Sequence, residues 1–135
     1  MHLAHFAFLC GWGAVLVVEL IVESMGDDHA AWARAATLHF WIDVLAEIPL
    51  VIGILVTGGV LLARSWPPAG LLLIKIVSAA VAIAFNLYCV VVVVLRYRLR
   101  RDEAAVRRLR RRVQLSVLGV PFGAVAAYIG LVYFT

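Results

Sequence analysis

Hydrophobic residues fall into four long runs along the chain, at residues 3–24, 38–63, 69–96 and 113–134. A helix needs about 20 apolar residues to cross the hydrocarbon core of a bilayer, and all four runs reach that length. Since the connections between the runs are short, neighbouring helices should run in opposite directions. The pattern predicts an all-α, integral membrane four-helix antiparallel bundle, a single transmembrane domain over residues 1–135.

The composition agrees with a membrane protein. Hydrophobic residues make up 65% of the chain, and the mean hydropathy of +1.04 is well above that of soluble globular domains. The sequence contains no glycine-rich phosphate-binding loop, no pattern of a nucleophile with its base and no dinucleotide-binding fingerprint. The composition therefore indicates where the protein lies without indicating a reaction.

Basic residues are concentrated in one connection, residues 96–112, which contains nine arginines. Arg34 would lie on the same side of the membrane, whereas the opposite side has only Arg64 and the N-terminus. Cytoplasmic loops of membrane proteins are enriched in Lys and Arg. We therefore predict a multi-pass protein of the bacterial inner membrane with both chain termini outside the cytoplasm.

The arginine-rich connection also carries hydrophobic residues at helical spacing, namely Leu99, Val106, Leu109 and Val113. We interpret it as a cytoplasmic helical extension of the third and fourth spans, in which Arg96 to Arg112 contact anionic lipid headgroups. This interpretation is favoured over nucleic-acid binding, which we do not predict. Docking of a partner protein by the same extension is an alternative.

Two stripes of ionisable residues interrupt the first two runs. Glu19 and Glu23 lie four residues apart in the first, and His39, Asp43 and Glu47 lie at intervals of four in the second. Residues four apart share one face of an α-helix. Because the first two spans are antiparallel neighbours, the stripes should face each other at the same depth near the cytoplasmic side. We predict that they form one pocket.

This pocket requires a compensating positive charge. A carboxylate at membrane depth costs about 2.5–3.5 kcal/mol, and like charges held together add to that cost. A transition metal would neutralise several carboxylates at once, and oxygen-rich ligation with one imidazole favours iron or manganese, with zinc or copper as alternatives. The predicted metal ligands are Glu19, Glu23, His39, Asp43 and Glu47. Protonation of the carboxyls is the metal-free alternative.

Residues on neighbouring segments could also contribute to the pocket. Arg34 and Arg96 lie near the inner boundary, where either could pair with Glu23. Asn86 falls at about the depth of Glu47 and could join the cluster. These residues supply a second metal-free way of satisfying the carboxylates.

Pro49 follows the second stripe directly. Proline has no backbone N–H, so it removes the hydrogen bond to the carbonyl of Leu45 and predicts a kink at this point. Breaks of this kind in membrane helices often accompany cavities and ion sites.

Ionisable residues in the outer half are sparse. His2 and His5 could form only a weak surface metal site, and Lys75 is predicted to extend toward the outer surface. A haem held by two histidines is not predicted, because His39 has no opposing histidine at its depth within one chain.

The fourth run contains Gly119 and Gly123, a G-x-x-x-G pattern with Ala127 one turn further on. Small residues at this spacing allow two helices to approach closely, within one chain or between chains. We therefore include a homo-oligomer through Gly119 and Gly123 among the predicted associations.

The segments "VTGGVLL", from Val56 to Leu62, and "LLLIKIVSAAVAI", from Leu71 to Ile83, contain a Thr-Gly pair near the end of one span and a lysine near the start of the next. This part of the chain resembles the membrane region of CopD-type copper-resistance proteins and related small four-span bacterial proteins. The resemblance implies copper handling across the inner membrane.

Together, these patterns predict an inner-membrane protein that binds a transition metal in an intramembrane carboxylate and histidine pocket. The metal would serve redox chemistry, as in a non-haem metal-dependent oxidoreductase, or would be transported. The alternative is a metal-free membrane subunit with a proton-linked or structural role. The sequence does not choose among these functions.

Overall fold

The structure, a computed structural model, describes residues 1–133 as four long helices joined by short connections. They are α1 (His2–Glu23), α2 (His29–Arg64), α3 (Leu71–Arg98) and α4 (Glu103–Tyr133), and each is long and apolar enough to cross a membrane. The described residues contain no β-strand. The predicted all-α four-helix fold is confirmed, and its membrane character follows from the length and composition of the helices.

Successive helices pack side by side in opposite directions. Within each pair of successive helices, residues near the end of the earlier helix contact residues near the start of the later one. Residues nearer the start of the earlier helix contact residues nearer the end of the later one. The pairs are His5–Thr57 and Glu23–His39 between α1 and α2, Trp32–Arg96 and Glu47–Asn86 between α2 and α3, and Lys75–Gly130 and Phe85–Gly119 between α3 and α4. The bundle is therefore antiparallel throughout, and we call the end that contains residues 96–112 the arginine-rich end.

The second helix is longer than its hydrophobic run, since it begins at His29 instead of residue 38. Asp28 caps it, because its side chain accepts a hydrogen bond from the backbone N–H of Ala31 at 2.6 Å. The alanine-rich residues that follow favour helix despite their modest hydrophobicity. The helix therefore begins before its hydrophobic run, and the connection from α1 shortens to residues 24–28, because hydropathy alone does not detect a helix start.

The fourth helix likewise begins before its apolar run, at Glu103, with Asp102 as its cap. Val106, Leu109 and Val113 are buried, whereas the arginines between them at positions 107, 108, 111 and 112 are exposed. Leu109 and Val113 pack with residues of α3 in the apolar core at the arginine-rich end. The arginine-rich segment therefore consists of the end of α3, a turn at residues 99–102 and the amphipathic start of α4, so that it extends the bundle as predicted.

Glycines allow α4 to approach its neighbours closely. A Cβ atom added at Gly119 would lie 2.5 Å from Cβ of Phe85, and one added at Gly123 would lie 3.1 Å from Cζ3 of Trp12. The G-x-x-x-G pattern thus serves packing within the chain. The predicted homo-oligomer stays a prediction that these contacts do not require.

We expect Gly119→Ala to lower the free energy of unfolding by about 1–3 kcal/mol, because the added methyl group overlaps Phe85 and must displace it. Gly59→Ala is the matched control, since a Cβ atom there would meet no atom within 4 Å. It should leave stability unchanged or raise it slightly through helix propensity. Unfolding in mixed detergent micelles measures both variants, and equal effects would contradict the close approach at Gly119.

Candidate metal centre

The two predicted stripes meet between α1 and α2, in the half of the bundle next to the arginine-rich end. Glu19 is 7% exposed, His39 is 2% exposed, and Asp43 and Glu47 are each 1% exposed. Glu23 lies at the edge of the cluster, with its side chain 12% exposed. Polar groups buried this deeply require partners, so the contacts of each side chain decide what the cluster can do.

His39 occupies the centre of the cluster. Its Nδ1 atom lies 2.8 Å from Oε1 of Glu23, whereas its Nε2 atom lies 3.6 Å from Oε2 of Glu19 and 3.5 Å from Oδ1 of Asp43. We assign the ring proton to Nδ1, which donates to the Glu23 carboxylate. This tautomer leaves the Nε2 lone pair directed toward two carboxylates.

Glu19, His39 and Asp43 form a compact group of candidate metal ligands. One ligand atom from each lies within 4.8 Å of the other two. Neighbouring ligand atoms held about 2.0–2.2 Å from a metal ion lie about 3–3.5 Å apart, which is close to the measured separations from His39 Nε2. The arrangement therefore has the dimensions of three ligands around one ion.

Several atoms of this group accept no hydrogen bond from an amide, hydroxyl, indole or guanidinium donor among residues 1–133, although the Glu19 and Asp43 carboxyls lie close enough to share a proton. They are Oε1 of Glu19, Nε2 of His39 and both carboxylate oxygens of Asp43. A buried polar atom without a partner is uncommon and costs free energy. A proton or a metal ion between these atoms would satisfy them.

Glu23 has a different environment from the other carboxylates. Arg96, which is fully buried, donates from Nη1 to Oε1 of Glu23 at 2.6 Å and from Nη2 to the carbonyl of Trp32 at 3.5 Å. The prediction that Arg96 could pair with Glu23 is confirmed. The pairing neutralises Glu23, which then orients His39 through the hydrogen bond with Nδ1, as carboxylates do for metal-binding histidines in metalloproteins.

Arg34 does not take part in the cluster. Its side chain is exposed on α2, and within the described part of the chain it forms no ion pair with Glu23. Arg34 lies five residues before His39 in α2, which directs it away from the stripe. The prediction that Arg34 could pair with Glu23 is therefore not realised.

Glu47 is held on the far side of the cluster from Glu23. Its Oε1 atom accepts hydrogen bonds from the indole N–H of Trp12 at 3.1 Å and from the side-chain amide of Asn86 at 2.5 Å. Its Oε2 atom has no partner among residues 1–133. The predicted participation of Asn86 is confirmed as a contact to Glu47. Trp12 was missed, although it lies seven residues before Glu19 and hence on the same face of α1.

A π-helical turn, Asp43–Glu47, carries the two deepest carboxylates of α2. The backbone N–H of Ile48 donates to the carbonyl of Asp43, five residues earlier, and Pro49 has no N–H with which to continue the α-helical pattern. The backbone disturbance predicted from Pro49 is thus present as a wide turn. Turns of this kind are frequent at functional sites.

The charges of the cluster do not balance on their own. Arg96 compensates Glu23, and in the described residues no other Lys or Arg forms an ion pair with Glu19, Asp43 or Glu47. Three carboxyl groups remain close together around a histidine. They must share protons or bind a cation, because unscreened like charges at this depth are strongly unfavourable.

Polar residues at the opposite end of the bundle form a separate group. Nδ1 of His5 lies 2.8 Å from the hydroxyl of Thr57, which also donates to the carbonyl of Gly53 at 2.6 Å. Lys75 is half-buried against Gly130. The predicted pairing of His2 with His5 as a surface metal site stays a prediction, and His5 already has Thr57 as a partner.

The chain was compared with protein-family models, with curated proteins and with solved structures, and none of the three comparisons found a match. The resemblance to CopD-type proteins therefore receives neither support nor contradiction from them. The geometry of the buried cluster is the basis on which a function can be argued.

Proposed function

We propose that this protein binds one transition-metal ion within its membrane-spanning bundle, through Glu19, Nε2 of His39 and Asp43. The observation that carries the proposal is Asp43, a carboxylate 1% exposed that accepts no hydrogen bond from an amide, hydroxyl, indole or guanidinium donor among residues 1–133 and faces the Glu19 carboxyl and Nε2 of His39. Two carboxylates and one divalent ion form a neutral unit, which is the charge state that a membrane interior favours.

The surrounding residues support a metal better than a set of shared protons. Glu23 fixes the tautomer of His39, so that Nε2 is an acceptor and not a donor toward Asp43 and Glu19. One divalent ion can satisfy all three acceptors together and balance the two carboxylate charges, whereas protons would have to be shared between pairs of them. Glu47, with Oε2 unpartnered, can serve as a fourth ligand or as a hydrogen-bond acceptor beside the ion.

Iron and manganese fit this donor set best, because two carboxylates and one imidazole are hard and intermediate ligands. Zinc accepts the same donors, whereas copper prefers sites richer in histidine or sulfur. Neither cysteine is among the candidate ligands, since Cys10 is exposed and Cys89 lies on α3 outside the compact group of ligand atoms. We therefore propose iron or manganese as the resident ion.

Redox chemistry is favoured over transport by the packing of α1 on α2 beyond the cluster. A Cβ atom added at Gly11 would lie 2.8 Å from Cδ2 of Leu50, and one added at Gly53 would lie 2.6 Å from Cδ1 of Phe8. This apolar packing offers an ion no polar path to the opposite end. A resident metal with an open coordination position is the arrangement that oxidoreductases of the non-haem class use.

Metal analysis of the purified protein tests the proposal. After growth in medium containing iron, manganese, zinc and copper, we expect about one ion per chain, and we expect it to be lost in Asp43→Asn and in His39→Ala. Glu103→Gln, which changes an exposed carboxylate, is the control and should retain the ion.

Cobalt substitution provides a second readout that does not depend on the yield of each variant. Co²⁺ added to chelator-treated wild-type protein should give visible absorption bands that are absent in Asp43→Asn. If the wild-type protein takes up no metal by either measurement, the proposal is wrong. The cluster would then be a group of protonated carboxyls with a proton-linked or structural role.

A further inference from the structure

A cavity of about 310 Å³ lies next to the candidate metal ligands. Its floor includes Asn86 and Cys89 on α3, and both Glu19 and Glu47 line it. The remaining walls are mostly apolar side chains of α1 and α4. This size falls at the lower limit of cavities that bind small organic molecules.

The cavity opens between α1 and α4, toward the surface that faces lipid in a membrane. Leu20 on α1 and Val117 on α4 line its edges and are 55% and 42% exposed. The two helices approach each other beyond its ends, where Trp12 packs against Gly123 and Arg110 donates to the backbone carbonyl of Glu23 at 3.3 Å. The opening is therefore a lateral window, and not a path along the bundle axis.

Two buried hydrogen-bond acceptors that line the cavity have no partner, whereas the Trp12 and Asn86 donors that also line it already donate to Oε1 of Glu47. Oε1 of Glu19 and Oε2 of Glu47 have no partner among residues 1–133, and both residues are more than nine-tenths buried. A molecule that fits here would have an apolar body that can enter from the bilayer and a head that donates hydrogen bonds. A carboxylate head is excluded, because it would add a further negative charge to the cluster.

We propose that this cavity binds a lipid-soluble molecule with a hydroxyl head, which enters through the window between α1 and α4. A neutral hydroxyl can leave the bilayer interface at lower desolvation cost than an ammonium group, and it can donate to either carboxylate. The binding itself requires only the cavity, whereas a role as redox substrate would rest on the proposed metal site.

Fluorescence of Trp12 can report this binding, because the indole lines the cavity and donates to Glu47. The other three tryptophans are replaced by phenylalanine in Trp32→Phe, Trp41→Phe and Trp66→Phe. The probe is a long-chain alkylphenol brominated beside its hydroxyl, since bromine quenches indole fluorescence at contact. We expect saturable quenching by this probe, and at least about tenfold weaker binding of its methyl ether, which cannot donate the hydrogen bond.

Two neighbouring substitutions on α4 provide a matched test of the window. Val117→Phe should block the opening and weaken binding by at least about tenfold, a change of about 1.4 kcal/mol. Leu118→Phe adds a ring at an exposed position that does not line the cavity and should leave binding unchanged. If the single-tryptophan protein does not fold, equilibrium binding of the radiolabelled phenol to the two single variants gives the same comparison.

Competition separates the two sources of hydroxyl chemistry. Displacement by an alkyl hydroquinone and not by a long-chain alcohol indicates a phenolic ligand, and the opposite result indicates an alcohol. Binding of a long-chain amine in preference to both would overturn the proposal. Quenching that rises linearly with probe, or that is equal in Val117→Phe and Leu118→Phe, would show that the cavity holds only water or lipid chains.

The metal content of the same samples distinguishes this proposal from the preceding one. Wild-type protein that holds metal but shows no saturable binding would contradict the cavity proposal alone. Saturable binding by a wild-type protein that takes up no metal would support the cavity and contradict the metal site.

Discussion

Arg96→Met is expected to lower the free energy of unfolding by about 3–5 kcal/mol, because it leaves the Glu23 carboxylate buried without its positive partner. Arg96 is fully buried, and its Nη1 atom lies 2.6 Å from Oε1 of Glu23. Removal of one member of such a pair costs far more than the pair contributes as a whole. Unfolding in mixed detergent micelles, followed by circular dichroism, measures the change.

The double variant Arg96→Met with Glu23→Gln should recover more than half of that loss, since the glutamine carries no charge and can still accept a hydrogen bond from His39. Asp27→Asn is the control for a surface ion pair. The Asp27 side chain is 92% exposed and lies 3.5 Å from Arg110, so its loss should cost less than about 1 kcal/mol. Equal losses in Arg96→Met and in the double variant would contradict the proposed pairing.

Insertion of one alanine directly after Leu45 is expected to abolish metal binding. Leu45 lies in the π-helical turn and is 71% exposed, so its own side chain contributes little packing. The π-helical turn already holds one residue more than an α-helical turn, so a second extra residue is not absorbed there and rotates the segment that bears His39 and Asp43 by about 100° relative to the rest of α2. The rest of α2 is held against α1, so the candidate ligands would separate.

Leu45→Ala is the matched control, because it removes the side chain and preserves the backbone register. We expect stoichiometric metal in Leu45→Ala and no bound metal in the insertion variant, with helical content similar in both by circular dichroism. Retention of metal after the insertion would mean that the register of α2 does not position His39 and Asp43. The comparison tests the backbone geometry separately from the identity of the ligands.

Much of the cluster followed from local patterns. Glu19 and Glu23, like His39 and Asp43, share a helical face because they are four residues apart, and the antiparallel order of adjacent spans brings the two faces to one depth. The ability of the four helices to span a membrane likewise follows from their length and hydrophobicity. These features depend on helix periodicity and chain connectivity, which a single sequence contains.

The division of roles within the cluster depended on side-chain directions in three dimensions. Arg96 stands near the end of a hydrophobic run and resembles an interfacial residue, yet it is fully buried because the amphipathic start of α4 covers this end of α3. Its contact with Glu23 makes that carboxylate an orienting group for His39. No spacing rule distinguishes Glu23 from Glu19 in this respect.

Hydrophobic periodicity alone thus determined four spans, their antiparallel order and the meeting of two polar stripes, because each follows from helix geometry and short connections. Tertiary packing selected Glu19, His39 and Asp43 as the compact group, brought Trp12 and Asn86 to Glu47, and opened a cavity between α1 and α4. Those outcomes depend on which side chains fill the space between helices and on a backbone turn one residue wider than an α-helix, and neither is encoded in the spacing of any single segment.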